Sequence, residues 1–373
     1  MDRNAARPHS LDMTSGRPIS RRLLLRRGAQ LAGGAALLGA TPSLLAACSS
    51  SKSPSTTATT AASGAALAKV SLQLNYLENA QFAGSFYAET KGYYKDAGVD
   101  VTLLPGGPNL SPEPIVVAGT ALVAISHTAE IIQAINNGAD LKLIGAGFQK
   151  NPTCIVSRAD APIKTPQEMV GKKIGISATN TPIWDSFLKA NNMTAAGIDV
   201  VTVQFDPSSL ATGEIDGLMG FAVNEPIVLK LAGTPTYYFL LNDFNYPLME
   251  DMYIATGANL ANPAKRKLID GIMSGESRGW SDVITDPDGA ATLAVTDFGK
   301  DLNLNATQQK LQTEGEGAFV ADADTMAHGL FWMTDEKIAG TIHSLGLGGV
   351  TATTSMFTDE VLSDIYKGGS TVA

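Results

Sequence analysis

The chain has 373 residues, of which 44% are hydrophobic and 17% charged, a composition typical of a globular protein that buries one large core or two medium ones. Two cysteines are too few for a disulfide framework or a metal cluster, and the four histidines lack metal-ligand spacing. The formal net charge of −9 argues against nucleic acid as a partner. We therefore expect a protein with no metal and no other cofactor.

Residues 1–47 are predicted to be an export leader. The segment 20–26, Ser-Arg-Arg-Leu-Leu-Leu-Arg, resembles a twin-arginine signal, and an apolar, small-residue stretch follows. That stretch ends in Leu-Ala-Ala-Cys, which resembles a bacterial lipobox with Cys48 as the lipidated residue. A transmembrane anchor is the alternative, but the stretch is rich in glycine and alanine, contains Pro42 and is scarcely long enough to span a bilayer.

Residues 48–69 are rich in Ser, Thr and Ala and are predicted to form a flexible tether. The leader contains seven arginines but only two aspartates, so the remaining chain is more acidic than the whole. Such a chain is not held on an anionic membrane by charge, and the lipid has to hold it there. We expect a protein that is lipid-anchored on the outer face of the cytoplasmic membrane, with Cys154 as its free thiol.

Residues 70–104 predict a strand–helix–strand unit. Apolar residues alternate over 70–74, Phe82 and Phe86 recur at helical spacing, and 99–104 is a second strand. A helical crossover implies parallel strands, and ligands of open α/β sheets collect outside the carboxyl ends of the strands. The polar loop after the first strand, which holds Asn75, Tyr76 and Gln81, is therefore predicted to contact a ligand.

The same region resembles a known family. The pattern L-N-Y, A-Q-F-A-G-S-F-Y-A, K-G-Y-Y-x-x-x-G-V-x-V and G-G-P, within residues 70–255, is similar to that of NMT1/THI5-like substrate-binding proteins. These are periplasmic-type receptors of ABC importers, and they include carriers of thiamin-pyrimidine precursors, riboflavin and sulfonates. The resemblance implies a type II periplasmic-binding-protein fold, with two α/β lobes and a two-segment hinge. It also implies an ABC permease of the inner membrane as partner.

The βα alternation continues to residue 148 and restarts after residue 157, which indicates a second α/β lobe. We expect residues 70–157 to form the first part of lobe 1 and 158–252 to form lobe 2. Residues 253–373 are predicted to be mostly helical and to return to lobe 1. The β-rich runs 154–158 and 252–256 are interpreted as the two hinge crossovers.

Further candidate ligand contacts lie at strand-to-helix junctions, where free backbone N–H groups converge. Ser126 and His127 occupy one junction, although Ser126 can equally be an ordinary helix cap. Thr179 and Trp184 follow a strand of the second lobe. Tyr76 and Trp184 are expected to sandwich a flat ring from the two lobes.

Asn224 and Glu225 occupy a third junction. A carboxylate in the first turn of a helix ordinarily stabilises the helix dipole, which is the alternative to ligand contact. In the resembling pyrimidine-binding proteins an acidic residue in this stretch faces the ligand. We accordingly expect Asn224 and Glu225 to accept hydrogen bonds from the amine of a nitrogen heterocycle. Residues 106–108, Gly-Gly-Pro, predict a tight turn, because the glycine spacing of a nucleotide site and its lysine are missing.

The predicted function is capture of a small heterocycle, a thiamin pyrimidine precursor or a flavin, by a monomeric receptor that delivers it to an ABC permease. A sulfonate-binding protein and a non-transporting sensor are alternatives. Another alternative is an enzyme resembling the thiamin pyrimidine synthase of the same family. Following the resemblance, the lysine position of that enzyme falls on Ser126 and its histidine position near Glu130, and the sequence has no cysteine cluster. We expect no catalytic residues.

Overall fold

A computed structural model describes residues 66–107, 110–204 and 207–372, apart from the side chain of Thr179. The predictions for the leader, for Cys48 and for the tether as far as residue 65 lie outside these residues. The first strand begins at Ala68, two residues earlier than the sequence predicts.

Within the described residues, ten strands form two five-stranded sheets. Sheet A has the order β2-β1-β3-β10-β4 and sheet B the order β7-β6-β8-β5-β9. The strands are β1 (Ala68–Gln73), β2 (Val99–Leu104), β3 (Val123–Ser126), β4 (Lys142–Phe148), β5 (Thr153–Arg158), β6 (Lys173–Ile176), β7 (Asp199–Thr202), β8 (Gly217–Phe221), β9 (Thr236–Leu240) and β10 (Glu250–Ala255).

Helices cover the faces of both sheets. They are α1 (Ala83–Thr90), α2 (Tyr93–Asp96), α3 (Pro112–Val117), α4 (Thr128–Asn136), α5 (Thr181–Ala190), α6 (Ser208–Ala211), α7 (Glu225–Leu231), α8 (Gly257–Ala261), α9 (Pro263–Thr285), α10 (Pro287–Leu293), α11 (Ala306–Val320), α12 (Ala323–His328), α13 (Asp335–Leu347) and α14 (Glu360–Tyr366). This mixed arrangement is the periplasmic-binding-protein fold, as predicted.

Most strands of each sheet have their carboxyl ends at the same edge. In sheet A, β1 is parallel to β2 and β3, whereas β10 runs antiparallel to β3 and β4. The first residues of β10 therefore lie beside the carboxyl ends of β3 and β4, with Glu250 opposite Phe148. In sheet B, the antiparallel β5 brings Thr153 to the carboxyl end of β8 at Phe221. In each sheet, four of the five strands therefore end at the same edge, and the fifth strand begins there.

The predicted hinge crossovers at 154–158 and 252–256 are wrong. Both runs are interior strands, because β5 pairs with β8 and β9 while β10 pairs with β3 and β4. The chain instead passes between the sheets at 149–152 and 241–249, where the Asn151 N–H donates to Leu248 O at 2.8 Å. A β-rich run looks the same in sequence whether it crosses between two sheets or pairs within one.

The segment after β10 does not return to sheet A alone. Helix α9 packs closely along α1, where a Cβ on Gly279 would lie 2.0 Å from Gly84 O. Helix α13, which the sequence does not reveal, packs on α5 beside sheet B, and Lys189 Nζ donates to Leu347 O at 3.2 Å. Helices of the return segment therefore contact both halves of the molecule. Among the described residues, no helix has the length and apolar character to cross a bilayer.

Candidate functional site

The loop after β1 is held in place by a neighbouring glycine. The Gly106 N–H donates to Tyr76 O at 2.9 Å, and a Cβ on Gly106 would lie 2.4 Å from Leu74 O. Only glycine allows this approach of two backbones. Gly106 therefore positions the Asn75–Tyr76 loop.

Asp251, the second residue of β10, is the centre of a buried polar cluster. Asn75 Nδ2 donates to Asp251 Oδ1 at 2.8 Å, and Gln81 Nε2 donates to Asp251 Oδ2 at 2.7 Å. Burial raises the pKa of Asp251 although His127, Gln81 and Asn75 act to lower it. Its φ of 50° is in the left-handed region, which is uncommon for a residue other than glycine and is often found at functional sites. Asn75 and Gln81 thus come together as the sequence predicts, on a residue that it does not identify.

His127 forms an ion pair beside this cluster. Its Nδ1 lies 2.9 Å from Glu250 Oε1, and Asn151 Nδ2 donates to Glu250 Oε2 at 2.8 Å. Burial lowers the pKa of His127, but the hydrogen bond and charge of Glu250, with Asp251 and Glu130, raise it to about 10. The imidazole is therefore protonated at neutral pH. Asn151 and Glu250 also tie the two crossings between the sheets together.

A metal ion is geometrically compatible with this corner. Ligand atoms of His127, Glu250 and Asp251 lie within 4.8 Å of one another. An imidazole binds metal only in its deprotonated form, and the raised pKa of His127 favours the ion pair with Glu250 instead. These three side chains therefore favour the ion pair between His127 and Glu250 over a bound metal ion.

Helix α11 carries a stripe of buried polar side chains toward the same cluster. Gln309 Oε1 accepts from the Ala80 N–H at 2.7 Å, and Gln312 Nε2 donates to Glu316 Oε1 at 2.9 Å. Glu316 is 0% exposed. Burial and the charge of Asp251 raise the pKa of Glu316 to about 8 against the opposing hydrogen bond of Gln312. A carboxyl group with a raised pKa is therefore buried on α11, where Gln312 supplies its hydrogen bond.

Asn224 and Glu225 lie at the edge of sheet B, at the start of α7. Glu225 Oε2 accepts from the Phe221 N–H at 2.5 Å, and Glu225 Oε1 accepts from Asn224 Nδ2 at 3.0 Å. Burial raises the pKa of Glu225 in spite of these hydrogen bonds. Asn224 Oδ1 in turn accepts from Gln308 Nε2 of α11 at 3.0 Å, which joins the two sheet edges. Glu225 thus connects the start of α7 to the end of β8, and Asn224 connects it to α11; their contact with a ligand stays a prediction.

Two predicted contacts are corrected by burial. Trp184 is 2% exposed and packs in an apolar cluster with Phe187 and Met249, so it is a core side chain and not a wall of the cleft. Ser126 is 0% exposed, and its hydroxyl donates to the buried carboxylate of Glu113. Ser126 is the last residue of β3 and Trp184 lies in the helix after β6, but both side chains turn inward. Tyr76 is half-buried, and the side chain of Thr179 is outside the described structure, so both remain predictions.

Sequence reasoning missed Glu250, Asp251 and Glu316. The first two follow the crossing at 241–249, which was expected further along the chain. For Glu316 a signal exists, because Gln309, Gln312 and Glu316 recur at helical spacing and all three are buried. A polar stripe on a helix is ordinarily exposed to solvent, so the spacing alone does not predict that these three side chains are buried.

The chain matches one family model and is similar to several known proteins. Residues 79–290 match the family model described as NMT1/THI5 like. The riboflavin-binding protein RibY of Chloroflexus aurantiacus is 24% identical over 61% of this chain and 66% of its own length. A putative thiamine biosynthesis protein of Haemophilus influenzae is 23% identical over 54% of this chain and 65% of its own length.

Two further proteins are similar. The formylaminopyrimidine-binding protein of Halalkalibacterium halodurans is 22% identical over 62% of this chain and 71% of its own length. The crystal structure of the periplasmic aliphatic sulphonate binding protein SsuA of Escherichia coli has a TM-score of 0.58, with 14% identity over 74% of this chain and 86% of that one. The chain spans just under two thirds of the length of the first two relatives, and the likeness to SsuA shows the fold alone.

Proposed function

This chain belongs to the NMT1/THI5-like family, and on that premise we propose that it is the extracytoplasmic solute receptor of an ABC importer. Its ligand is a small nitrogen heterocycle, a thiamin pyrimidine precursor or a flavin, held between the two sheet edges. The observation that carries the proposal is the Asp251 cluster. Asn75 and Gln81 place their amides on the buried carboxyl group of Asp251, far away in sequence, and Gln309 of α11 accepts from Ala80 in the same loop.

The names of two relatives support a heterocyclic ligand, since one is a riboflavin-binding and the other a formylaminopyrimidine-binding protein. The biosynthetic alternative draws support from the name of the Haemophilus influenzae relative. It needs a reactive side chain at position 126, where Ser126 is instead buried against Glu113. A receptor is the function that these residues favour.

Delivery to a permease requires the receptor to be at the membrane, and we propose that lipidation of Cys48 anchors it there. The Leu-Ala-Ala-Cys sequence after an apolar leader supports this anchor. Cell fractionation tests it: the protein should move from the membrane to the soluble fraction when Cys48 is replaced by alanine. An unchanged membrane fraction would refute the anchor without touching the ligand proposal.

Ligand binding is tested on the purified chain by mass spectrometry of whatever small molecule co-purifies, followed by calorimetric titration. The panel is a formylaminopyrimidine, riboflavin and an alkanesulfonate. We expect one of the two heterocycles to bind with micromolar affinity or better. Binding of the sulfonate alone would move the receptor to another ligand class, and binding of none would refute the function.

A further inference from the structure

His127 presents an unpaired ring nitrogen at the edge of sheet A where four strands end. The residue directly follows β3, and its side chain is 42% exposed. Nδ1 lies 2.9 Å from Glu250 Oε1, whereas Nε2, on the other side of the ring, has no hydrogen-bond partner among the described residues. Nε2 is not one of the enclosed, unpartnered atoms of those residues, so it is open to solvent. A ligand held at this edge can therefore reach it.

A series of hydrogen bonds fixes the orientation of this ring. The backbone N–H of Thr153 can only donate, and it donates to Asn151 Oδ1 at 2.7 Å. The amide nitrogen of Asn151 is therefore on the other side and donates to Glu250 Oε2 at 2.8 Å. Glu250 Oε1 accepts from the Thr128 N–H at 3.3 Å and faces His127 Nδ1. Because Glu250 is held from two sides, the imidazole is oriented before a ligand binds.

The partner of Nδ1 makes Nε2 a hydrogen-bond donor. A carboxylate only accepts, so Nδ1 carries a hydrogen toward Glu250. Although partial burial acts to lower it, the hydrogen bond and charge of Glu250 raise the pKa of His127 to about 10. The ring is therefore an imidazolium at neutral pH, and its Nε2 carries a hydrogen as well. This N–H group lacks an acceptor among the described residues, and a ligand can supply one.

The surrounding charges favour an acceptor without a charge of its own. The carboxyl groups of Glu250, Asp251 and Glu130 all act on the one imidazolium. Among the described residues, no lysine or arginine forms an ion pair with these three groups. An anionic oxygen would approach three carboxyl groups and a single cation, which is unfavourable. A carbonyl oxygen avoids this repulsion and still accepts a strong hydrogen bond from a charged donor.

We propose that His127 donates a hydrogen bond from Nε2 to an uncharged carbonyl oxygen of the ligand. The proposal rests on the function given above and adds a group that the receptor selects, at a stated place on the edge of sheet A. Removing the N–H group or the ligand oxygen breaks a hydrogen bond to a charged donor, so each change should weaken binding about tenfold or more. Both changes together should cost no more than one of them, because they remove the same interaction.

Calorimetric titration of the full chain tests this with oxygen and sulfur probes. The probes are a formylaminopyrimidine and riboflavin, each beside analogues in which sulfur, a weak acceptor, replaces a carbonyl oxygen. We expect the wild type to bind the oxygen form about tenfold or more tightly than one of its sulfur forms. This preference should fall to near unity in His127→Phe, which has no donor, and in His127→Asn, whose shorter side chain cannot extend past Glu250 to the ligand.

His343→Asn is the matched control. His343 is exposed on α13, so this variant should keep the wild-type preference. Thermal unfolding of each ligand-free variant verifies the fold. Nitrogen-15 NMR of histidine-labelled wild type gives a readout that needs no variant of His127 to bind ligand. The Nε2 of one histidine should carry a hydrogen in the complex, and its signal should move with the oxygen probe but not with the sulfur probe.

Three results overturn the proposal and leave the receptor function standing. They are equal binding of the oxygen and sulfur forms by the wild type, an unchanged preference in either folded variant of His127, and no histidine signal that responds to the oxygen probe. Tightest binding of an alkanesulfonate also overturns it, since the favoured acceptor would then be an anion. Binding of no small molecule overturns the receptor function and this proposal together.

Discussion

Glu316 is an acid that the fold holds close to its uncharged form. It is wholly buried on α11, receives one hydrogen bond from Gln312 and lies within the field of Asp251. Removing a carboxylate from water is costly unless several donors replace the solvent, and one amide is not enough. The residue therefore holds its proton up to a pKa of about 8, which makes the site sensitive to pH near neutrality.

This raised pKa predicts a pH-dependent stability. A carboxyl group that binds its proton more tightly in the folded state stabilises the protein fully below its ordinary pKa of 4.5, and the contribution is lost as the pH rises to about 8. Relative to Glu316→Gln, the wild type should lose up to about 1.4 kcal/mol of unfolding free energy per pH unit in that window. Urea unfolding of both proteins between pH 4.5 and 9 measures the difference. Parallel curves would show that Glu316 is ionised in the folded protein.

The sequence predicted the location of those residues that directly follow the carboxyl end of a strand. Asn75, Gln81 and His127 follow carboxyl ends of β1 and β3, and the structure gathers them around Glu250 and Asp251. Side-chain direction was not predictable, because it depends on which neighbour fills the space. Ser126 also lies at the carboxyl end of a strand, but its side chain turns inward and donates a hydrogen bond to Glu113.

At the scale of elements, α5 shows how one helix can be misinterpreted. The sequence places Trp184 in a polar, turn-like context, since Pro182 and Asn180 precede it. In the structure the helix begins at Thr181 and turns Trp184, Phe187 and Leu188 into the core. A residue in the first turn of a helix is already on one of its faces, so polar neighbours before the helix do not predict exposure.

The core position of Trp184 predicts a large loss of stability. Trp184→Ala removes a fully buried aromatic side chain and leaves a cavity, which should cost about 3–5 kcal/mol of unfolding free energy. Asp185→Ala, one residue further and exposed, should change stability by less than about 0.5 kcal/mol. Urea denaturation of the two variants makes the comparison. A small stability change in Trp184→Ala with a large loss of ligand affinity would return this residue to the binding site.

The element pattern itself was largely readable from the sequence up to β10. Strands and helices alternate, and most boundaries fall within two residues of the pattern. The return segment was harder, since the sequence predicts it only as mostly helical and does not reveal α12 and α13. These helices pack against several partners, so no single apolar stripe marks them clearly.

At the scale of the whole molecule, contacts across the cleft connect the two sheets through the return segment. Gln308 of α11 donates to Asn224, just before α7, and the two crossings are joined by the hydrogen bond from the Asn151 N–H to Leu248 O. Helix α11 therefore carries both the buried Glu316 and the hydrogen bond to Asn224 beside the second sheet.

Hydrogen exchange, followed by mass spectrometry with and without the ligand identified by titration, tests the central claim that the ligand is held between the sheet edges. We predict slower exchange on ligand addition at residues 75–82, 248–252 and 309–317 and at the start of α7, with little change along the exposed face of α9. Protection confined to one sheet, or found only away from Asp251 and Glu316, would contradict a site shared between the two edges.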